Sequence, residues 1–327
     1  MKTNPANRMN RHDFLKLVAG GAIAAALPRF AFAQPSAPET FTYKTADGCQ
    51  IKADVRQPTA GTGRPAVMWI HGGALIMGSR KSPDPRFQAE LLKRGFVVLS
   101  IDYRLAPETK LPGIIADVQD AWRWVRGEGV ERFNIDPARL AVAGGSAGGY
   151  LTLMSSFCLD PRPRALVSYF GYGDITGPWY SEPDEFYRRQ PLVSKDEAYQ
   201  SVGSQPIAEI PASNQRRRFY LYCRQNGIWP NEVTGHDPHT EPKWFDAYCP
   251  IRNVTPKYPP TYLIHGTDDT DVPYVESKNM AAKLSASGVT HEFITVAGAG
   301  HGLSGAKSDE LAQFARQAAE FVATHAS

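Results

Sequence analysis

A serine at residue 146 stands in the setting that nucleophilic catalysis requires. The pentapeptide Gly-Gly-Ser-Ala-Gly, residues 144–148, follows an apolar run at 140–143 and leads into a helix-forming stretch at 147–157. Such a tight turn between strand and helix lifts the serine hydroxyl above the sheet, and small neighbours let the backbone pass without clashes. The segment has neither the Lys-Ser/Thr pair nor the glycine spacing of a nucleotide-binding loop. The pattern therefore favours acyl transfer through Ser146.

His301 is the best-placed base for this serine. It lies in the glycine-rich loop at 297–302, directly after the last predicted strand, and it is the one of eight histidines with this placement. A histidine in that position takes the proton of the attacking hydroxyl and later returns it to the leaving group. The chain order serine, aspartate, histidine is the order expected for a nucleophile on a strand-to-helix turn.

Three aspartates compete to be the acid that orients this histidine and stabilises its cation. Asp268, Asp269 and Asp271 all follow the seventh predicted strand. Asp269 fits best, because it stands four residues before Pro273 in the pattern HGxxDxxVP. Asp268 and Asp271 remain alternatives, and Asp271 is also placed to cap the helix that begins next.

A second glycine-rich segment follows the third predicted strand. Acyl transfer needs backbone N–H groups aimed at the negative oxygen of the tetrahedral intermediate. We expect this oxyanion hole to be formed by Gly72, Gly73, Ala74 and the residue after the nucleophile, Ala147. We interpret the adjacent His71 as a residue that holds the loop by hydrogen bonds, not as the catalytic base.

Alternating strands and helices must position these residues. Strands are predicted at 40–45, 50–56, 66–71, 96–101, 140–144, 165–171, 260–265 and 290–296. Helices are predicted at 87–93, 114–125, 147–157, 275–286 and 307–323. Several strands, such as 96–101, are continuous apolar runs, which are typical of parallel strands buried on both faces. The pattern predicts an α/β fold with a mostly parallel, eight-stranded sheet flanked by helices.

Residues 172–258 break this alternation. They are rich in Pro, Tyr, Trp, Arg and Asp, and a structureless loop of that length is improbable in a compact domain. We predict a cap or lid, partly helical around 195–225, inserted into a catalytic domain formed by residues 34–171 and 259–327.

This cap should determine which substrates enter. Its aromatic candidates for a substrate pocket are Trp179, Tyr180, Trp229, Phe186 and Tyr187. The alternative for each of them is a place in the cap's own interior. The arginine run at 216–218 is placed either to bind an acidic substrate group or, as we favour, to form a solvated helix face.

The N-terminus has the pattern of an export signal. A basic stretch ending at Lys16 precedes an apolar run at 17–27, and Ala31-Phe-Ala33 forms a small-x-small cleavage site. The basic stretch is similar to a twin-arginine signal with His12 in the place of the second arginine, so general secretion is the alternative route. We expect residues 1–33 to be removed and the protein to be periplasmic or secreted.

Net charge, cysteine content and possible metal ligands argue against nucleic-acid binding, a stable membrane anchor and a metal centre. Residues 1–33 carry five basic side chains and one acidic one, so the remaining chain has a net charge of −1 within the overall +3. Nothing in this balance indicates nucleic acid or a stable membrane anchor. We expect no cofactor and no metal, although the three clustered aspartates resemble a calcium site. Cys223 and Cys249 either pair or, like Cys49 and Cys158, remain free thiols.

These motifs together resemble the hormone-sensitive-lipase-like esterases and the related BD-FAE and prolyl-oligopeptidase-like hydrolases of the α/β-hydrolase superfamily. The resemblance runs from about residue 50 to the C-terminus outside the cap. It is carried by residues 71–74, 102–108, 117–121 and 144–148, with Asp269 and His301. Ala74 replaces the third glycine of the family's HGGG motif.

The resemblance implies the α/β-hydrolase fold and a serine carboxylesterase that works through an acyl-enzyme. The expected partner is a small-molecule or polymer-derived ester; the sequence gives no indication of oligomeric state. One alternative is a peptidase or amidase of the arylformamidase or aminoacyl-peptidase type, and a more remote one is a non-catalytic binding protein. The complete serine, aspartate and histidine set argues against the latter.

Overall fold

The computed structural model describes residues 37–59, 61–210 and 216–326. The predicted export signal at residues 1–33 lies outside the described residues. Eight strands form one sheet: β1 (Glu39–Ala46), β2 (Cys49–Arg56), β3 (Arg64–Ile70), β4 (Val97–Ile101), β5 (Ile135–Gly145), β6 (Leu166–Tyr169), β7 (Thr261–Gly266) and β8 (His291–Val296). Their order across the sheet is β1-β2-β4-β3-β5-β6-β7-β8. All eight predicted strands are present, with ends that shift most at β5.

The pairing of the strands gathers the carboxyl ends of six parallel strands at one edge. β1 pairs antiparallel with β2, and β2 pairs antiparallel with β4. The remaining pairs are all parallel and join the strands in the order β4, β3, β5, β6, β7 and β8. In register, Ile70 of β3 lies beside Gly144 of β5, and Tyr169 of β6 lies beside Gly145. The loops that follow these strands must therefore meet, which is where open α/β sheets bind their ligands.

Helices cover both faces of the sheet. One face packs against α1 (Pro85–Lys93) and α11 (Ser308–His325), and the other against α2 (Leu111–Arg126), α3 (Glu128–Phe133), α4 (Ala147–Cys158) and α10 (Tyr274–Ala286). In β4, Val97 and Leu99 pack on one face and Val98 packs on the other. This burial on both sides explains the continuous apolar runs. The predicted eight-stranded, mostly parallel sheet flanked by helices is confirmed.

The predicted cap, residues 172–258, which we call the insert, lies between β6 and β7. It contains α5 (Pro178–Ser181), α6 (Glu185–Arg188), α7 (Lys195–Tyr199), α8 (Arg216–Asn226), α9 (Trp229–Thr234) and two 3₁₀ helices (Pro242–Tyr248 and Pro250–Asn253). Its buried side chains, among them Phe219, Trp229 and Phe245, join the same core cluster as α2 and α4. The insert is thus packed onto the sheet domain; its exact limits as a domain stay a prediction.

The cysteines are unpaired in the described structure. Cys223 and Cys249 are both buried free thiols, so the disulfide considered from the sequence is absent. Burial raises the pKa of both thiols well above its ordinary value, which keeps them protonated and unreactive. None of the described helices combines the length and apolar character needed to cross a bilayer.

Candidate active site

Ser146 occupies a strained turn between β5 and α4. Its backbone has φ 56° and ψ −123°, a conformation that L-residues rarely adopt. The turn is held from outside, because the Ser146 amide donates to the carbonyl of Tyr169 over 2.9 Å. Gly148 is required beside it, since a Cβ there would lie 2.0 Å from the Ile70 carbonyl oxygen. The neighbouring strands therefore fix the serine in position.

Three side chains form one hydrogen-bonded series. His301 Nε2 lies 3.1 Å from Ser146 Oγ, and His301 Nδ1 lies 2.8 Å from Asp269 Oδ2. With the Nδ1 proton donated to the carboxylate, Nε2 presents its lone pair to the serine hydroxyl. This is the arrangement in which an imidazole accepts the hydroxyl proton. The structure brings together the three residues predicted from three distant segments.

Asp269 is more completely hydrogen-bonded than the sequence indicated. Its Oδ1 accepts from the amides of Asp271 and Val272, and its Oδ2 also accepts from His265 Nε2 at 3.1 Å. Burial works to raise the pKa of Asp269, but the hydrogen bonds from His265 and His301 outweigh it and hold that pKa well below its usual range. The carboxylate therefore stays ionised and its orientation is fixed.

His301 has an elevated pKa. Burial opposes its protonation, but the hydrogen bond that His301 donates to Asp269 and the negative charges of Asp271 and Asp269 raise the pKa above its ordinary value. The ring of Phe170 packs edge-on against the imidazole, with 5.0 Å between ring centres. The imidazole is thus restrained on one side by a carboxylate and on another by an aromatic ring.

The competing aspartates have other places. Asp268 is exposed and accepts a hydrogen bond from Thr267 Oγ1. Asp271 does not cap α10, whose N-cap is Pro273 with no side-chain cap bond. Asp271 instead turns toward the site, where its Oδ2 lies 3.4 Å from His301 Nε2. Of the three candidates, Asp269 alone contacts Nδ1 of the histidine.

The predicted oxyanion residues surround Ser146. Gly72 is so close that a Cβ on it would lie 3.2 Å from Ser146 Cβ, and Ala147 is the first residue of α4. Gly73 and Ala74 both have positive φ, 110° and 55°, and both line the cavity that holds Ser146. A Cβ on Gly73 would lie 2.1 Å from the Met77 carbonyl oxygen, so this position demands glycine.

Buried contacts hold this loop in place. His71 Nδ1 lies 2.7 Å from the Gly72 carbonyl oxygen, and its ring stacks on Tyr103 with 4.2 Å between centres. Burial lowers the pKa of His71 to about 4, so the imidazole is neutral. On the insert side, Trp229 Nε1 donates to the Ala74 carbonyl over 3.0 Å. These contacts support the interpretation of His71 as a residue that holds the loop by hydrogen bonds.

Two cavities meet at Ser146. The insert-side cavity, about 470 Å³, also borders His301 and is lined by Phe186, Tyr187, Gln190, Arg217, Tyr220 and Asp271. The sheet-side cavity, about 360 Å³, is lined by the segment 82–86, which includes Asp84 and Arg86, and by a set of large apolar residues: Trp69, Tyr169, Phe170, Leu303, Leu311 and Phe314. A scissile bond placed at Ser146 would therefore have room for a substituent on each side.

The insert's aromatic residues divide between these cavities and the core. Trp179, Tyr180 and Trp229 were predicted to bind substrate, but they stack on one another in the insert's interior, with ring centres 3.6 and 4.0 Å apart. Tyr180 and Trp229 are fully buried and line neither cavity. The placement of these three in a substrate pocket is corrected to a packing role. Phe186 and Tyr187 do line the insert-side cavity.

The arginine run at 216–218 also divides. Arg216 is buried and pairs with Glu108 over 2.6 Å, so it is not part of the solvated face that we favoured. Arg217 lines the insert-side cavity, and Arg218 is exposed. Helical spacing explains the division, since adjacent helix residues point about 100° apart.

Three contributors to the site were not predicted from the sequence: His265, Phe170, and the cluster that Tyr220 and Arg224 form around Asp271. His265 is the histidine of the HGxxDxxVP pattern itself, so its position in the motif was an available signal. Tyr220 and Arg224 of that cluster are four residues apart on α8, which places them on one face. The sequence contains no signal for what that face contacts.

Known proteins resemble the chain in sequence and in fold. Residues 67–304 match a family model described as alpha/beta hydrolase fold. The curated non-reducing polyketide synthase Preu6 of Preussia isomera is 27% identical over 296 residues, which cover 80% of this chain and 13% of that protein. The chain thus spans only a small part of the curated relatives it matches.

Two solved structures superpose on this chain over most of its length and of their own. A protein with unknown function from Staphylococcus aureus subsp. aureus Mu50 superposes with a TM-score of 0.72 at 21% identity, covering 88% of this chain and 100% of that one. The thermophilic carboxylesterase EstE1, cloned from a metagenomic library, gives a TM-score of 0.64 at 24% identity, covering 90% and 91%. At these identities the likeness concerns the fold.

Proposed function

The chain belongs to the family with the alpha/beta hydrolase fold, and from this premise we propose that it is a carboxylesterase that cleaves its substrate through an acyl-enzyme on Ser146. The observation that carries the proposal is the unbroken hydrogen-bonded series from Ser146 Oγ through His301 to Asp269, at the meeting point of two cavities. The expected substrate is a small-molecule or polymer-derived ester.

Acylation follows from the placement of the two ring nitrogens of His301. Ser146 Oγ attacks the ester carbonyl while Nε2 takes the hydroxyl proton, and the Asp269 carboxylate stabilises the resulting imidazolium through Nδ1. The tetrahedral intermediate carries its negative charge on the former carbonyl oxygen. When it collapses, the carbon–oxygen bond to the leaving alcohol breaks, and that oxygen receives the proton from Nε2. Ser146 now bears the acyl group.

Deacylation repeats these steps with water. Water gives a proton to Nε2 as its oxygen attacks the acyl-serine carbonyl, and the second intermediate releases the carboxylic acid and returns the proton to Ser146 Oγ. The negative oxygen in both intermediates is assigned to the backbone N–H groups of the predicted oxyanion residues, Gly72, Gly73, Ala74 and Ala147. Trp229 and His71 keep their loop from relaxing.

Two substitution pairs test the proposal on p-nitrophenyl butyrate. Ser146→Ala removes the nucleophile and should lower kcat by ~10⁴-fold or more, whereas Ser285→Ala, at an exposed serine of α10, should leave it unchanged.

Asp269→Asn should lower kcat by roughly 10³- to 10⁴-fold, since the wrong imidazole tautomer is then favoured. Asp268→Asn is its matched control at an exposed site.

Two results would overturn the proposal. The first is substantial ester hydrolysis by Ser146→Ala, which would remove the nucleophile from the mechanism. The second is faster cleavage of aminoacyl anilides than of p-nitrophenyl esters by the wild type, which would assign the chain to the amidases or peptidases. Binding of esters without any turnover would favour a non-catalytic role.

We further propose that the protein is exported. The support is the basic, apolar and small-residue succession in residues 1–33. Residues 1–40 fused to a reporter should carry it out of the cytoplasm, with cleavage after Ala33. A reporter that stays wholly cytoplasmic would contradict this.

A further inference from the structure

The two oxygens of the Asp271 carboxylate have unequal surroundings. Oδ1 accepts hydrogen bonds from the phenols of Tyr187 and Tyr220 and from Arg224 Nη1. Oδ2 has one close contact among the described residues, His301 Nε2 at 3.4 Å. Since Asp271 lines the insert-side cavity, Oδ2 is an acceptor available to whatever enters there.

Arg224 fixes this carboxylate rigidly. The arginine side chain is buried, and it also donates to the Asp271 backbone carbonyl and to Asp184 Oδ2, over 2.9 and 2.8 Å. Its guanidinium lies 4.4 Å from the ring centre of Tyr187. Substrate binding therefore loses little conformational entropy at Asp271, because the protein has already oriented this acceptor.

The position of Oδ2 relative to the chemistry defines what it would contact. Under the proposed mechanism, His301 Nε2 hands its proton to the oxygen of the leaving alcohol, so that oxygen must lie within hydrogen-bond reach of Nε2. Oδ2 is 3.4 Å from the same nitrogen. A hydroxyl on the carbon next to the ester-bearing carbon would reach Oδ2 while the ester oxygen reaches Nε2.

We propose that Asp271 selects esters whose leaving alcohol carries a neighbouring hydroxyl, such as partial esters of glycerol or of sugars, by accepting that hydroxyl on Oδ2. This inference rests on the proposed esterase function. The leaving alcohol then occupies the insert-side cavity, where Tyr187, Phe186 and Gln190 offer ring faces and an amide. The acyl group then occupies the sheet-side cavity, where Phe170, Leu303 and Phe314 offer apolar side chains.

Charge favours a neutral donor over an ammonium group. Arg224 pairs with Asp271 through Oδ1, and Arg217 lines the same cavity. A cationic leaving group would be repelled by Arg217 in the cavity and by the charge of the nearby Arg224, whereas a hydroxyl needs only the one free acceptor.

The test compares two esters that differ in hydroxyls alone, glycerol monobutyrate and propyl butyrate, by titrating the butyric acid released. The wild type should prefer the glycerol ester by about tenfold or more in kcat/KM, as expected for a hydrogen bond to a charged acceptor. Hydrolysis of p-nitrophenyl butyrate, measured in parallel, reports the proposed function separately.

Asp271→Asn is the informative variant. The three donors around Oδ1 would hold the amide oxygen in that place, so the amide NH₂ would replace Oδ2 and present a donor where the wild type presents an acceptor. The preference for glycerol monobutyrate should fall to within about threefold of unity, because the hydroxyl loses its acceptor. Asp268→Asn, the exposed neighbour, should retain it. Circular dichroism and thermal melting establish that the variants are folded.

Each remaining outcome overturns one statement. If Asp271→Asn slows both esters equally and keeps the preference, Asp271 acts on His301 for every substrate and does not select the alcohol. A wild type that cleaves p-nitrophenyl butyrate but does not distinguish the two butyrates would contradict the selectivity alone. A wild type inactive on all three esters would contradict the esterase function itself.

Discussion

Two carboxylates approach His301 from different sides. Asp269 contacts Nδ1 at 2.8 Å, and Asp271 lies 3.4 Å from Nε2. The first is fixed by His265 and two backbone amides, and the second by Arg224 and two tyrosines. The first orients the imidazole, while the second adds negative charge where the proton is exchanged.

The pH dependence of turnover should reveal both charges. Protonated His301 cannot accept the serine proton, so kcat/KM on p-nitrophenyl butyrate falls as pH drops through the pKa of His301. Because that pKa is raised, the midpoint of this acid limb should lie above the ordinary value of 6.5.

Asp271→Asn removes a negative charge that lies beside the His301 imidazolium, and so lowers the pKa of His301. The acid limb should therefore move to lower pH, and Asp268→Asn should leave it in place. Rate profiles of the free enzymes across the acid and neutral range measure this. A midpoint in Asp271→Asn at or above that of the wild type would show that Asp271 has no electrostatic effect on His301.

At the scale of elements, the insert supports the oxyanion loop from the side opposite the sheet. Trp229 stands at the start of α9 and donates to the Ala74 carbonyl. Its ring is fixed by stacking on Tyr180. The insert therefore does more than cover the cavity, because it also holds the backbone whose amides we expect to face the substrate oxygen.

Trp229→Phe should separate the hydrogen bond of Trp229 to Ala74 from its stacking on Tyr180. Phenylalanine keeps much of the stacking but leaves the buried Ala74 carbonyl without its donor, which costs about 1 kcal/mol or more. We expect kcat to fall by about fivefold or more, with a smaller change in KM, because the loop then relaxes around the transition state. Steady-state kinetics on p-nitrophenyl butyrate measure both constants.

Trp179→Phe is the matched control for this change. Trp179 belongs to the same aromatic stack and makes no hydrogen bond to the oxyanion loop. Both variants should lose some thermal stability, but only Trp229→Phe should lose kcat. An equal loss of kcat in the two would show that the stack as a whole, and not the bond to Ala74, matters.

For the whole molecule, stability should depend on Glu276, which joins α10 to the loop after β6. Its Oε2 accepts from the Asp174 amide at 3.3 Å. Burial and the nearby Asp174 charge raise the pKa of Glu276 to about 7, from an ordinary value of 4.5. A carboxyl with a raised pKa favours the folded state fully below its unfolded pKa, and this contribution is lost as pH rises through the folded pKa.

Glu276→Gln should therefore melt at a higher Tm than the wild type at pH 8 and at a similar Tm near pH 4.5. The amide imitates the protonated carboxyl and carries no charge to bury. Thermal unfolding followed by circular dichroism at the two pH values checks this. A lower Tm for Glu276→Gln at pH 8 would mean that the ionised carboxylate is stabilising at the start of α10.

The sequence alone determined the features that local geometry forces. A strand buried on both faces must be continuously apolar, so β3 and β4 could be located within about two residues. A nucleophile on a tight turn needs glycines at fixed spacing, so Ser146 could be identified from its pentapeptide. Gly148 shows the physical reason for this spacing, since no Cβ fits at that position. Asp269 and His301 follow strands whose carboxyl ends meet at one edge.

The tertiary structure alone decided which insert residues reach the substrate. Trp179 and Tyr187 are equally plausible pocket residues by type, yet one packs inside the insert and the other lines the cavity. Asp271 is a turn residue by pattern, and its role depends on Tyr187 and Arg224, which are distant in sequence. Short helices joined by irregular loops carry little periodicity, so the directions of their side chains are set by packing between distant segments and not by local sequence.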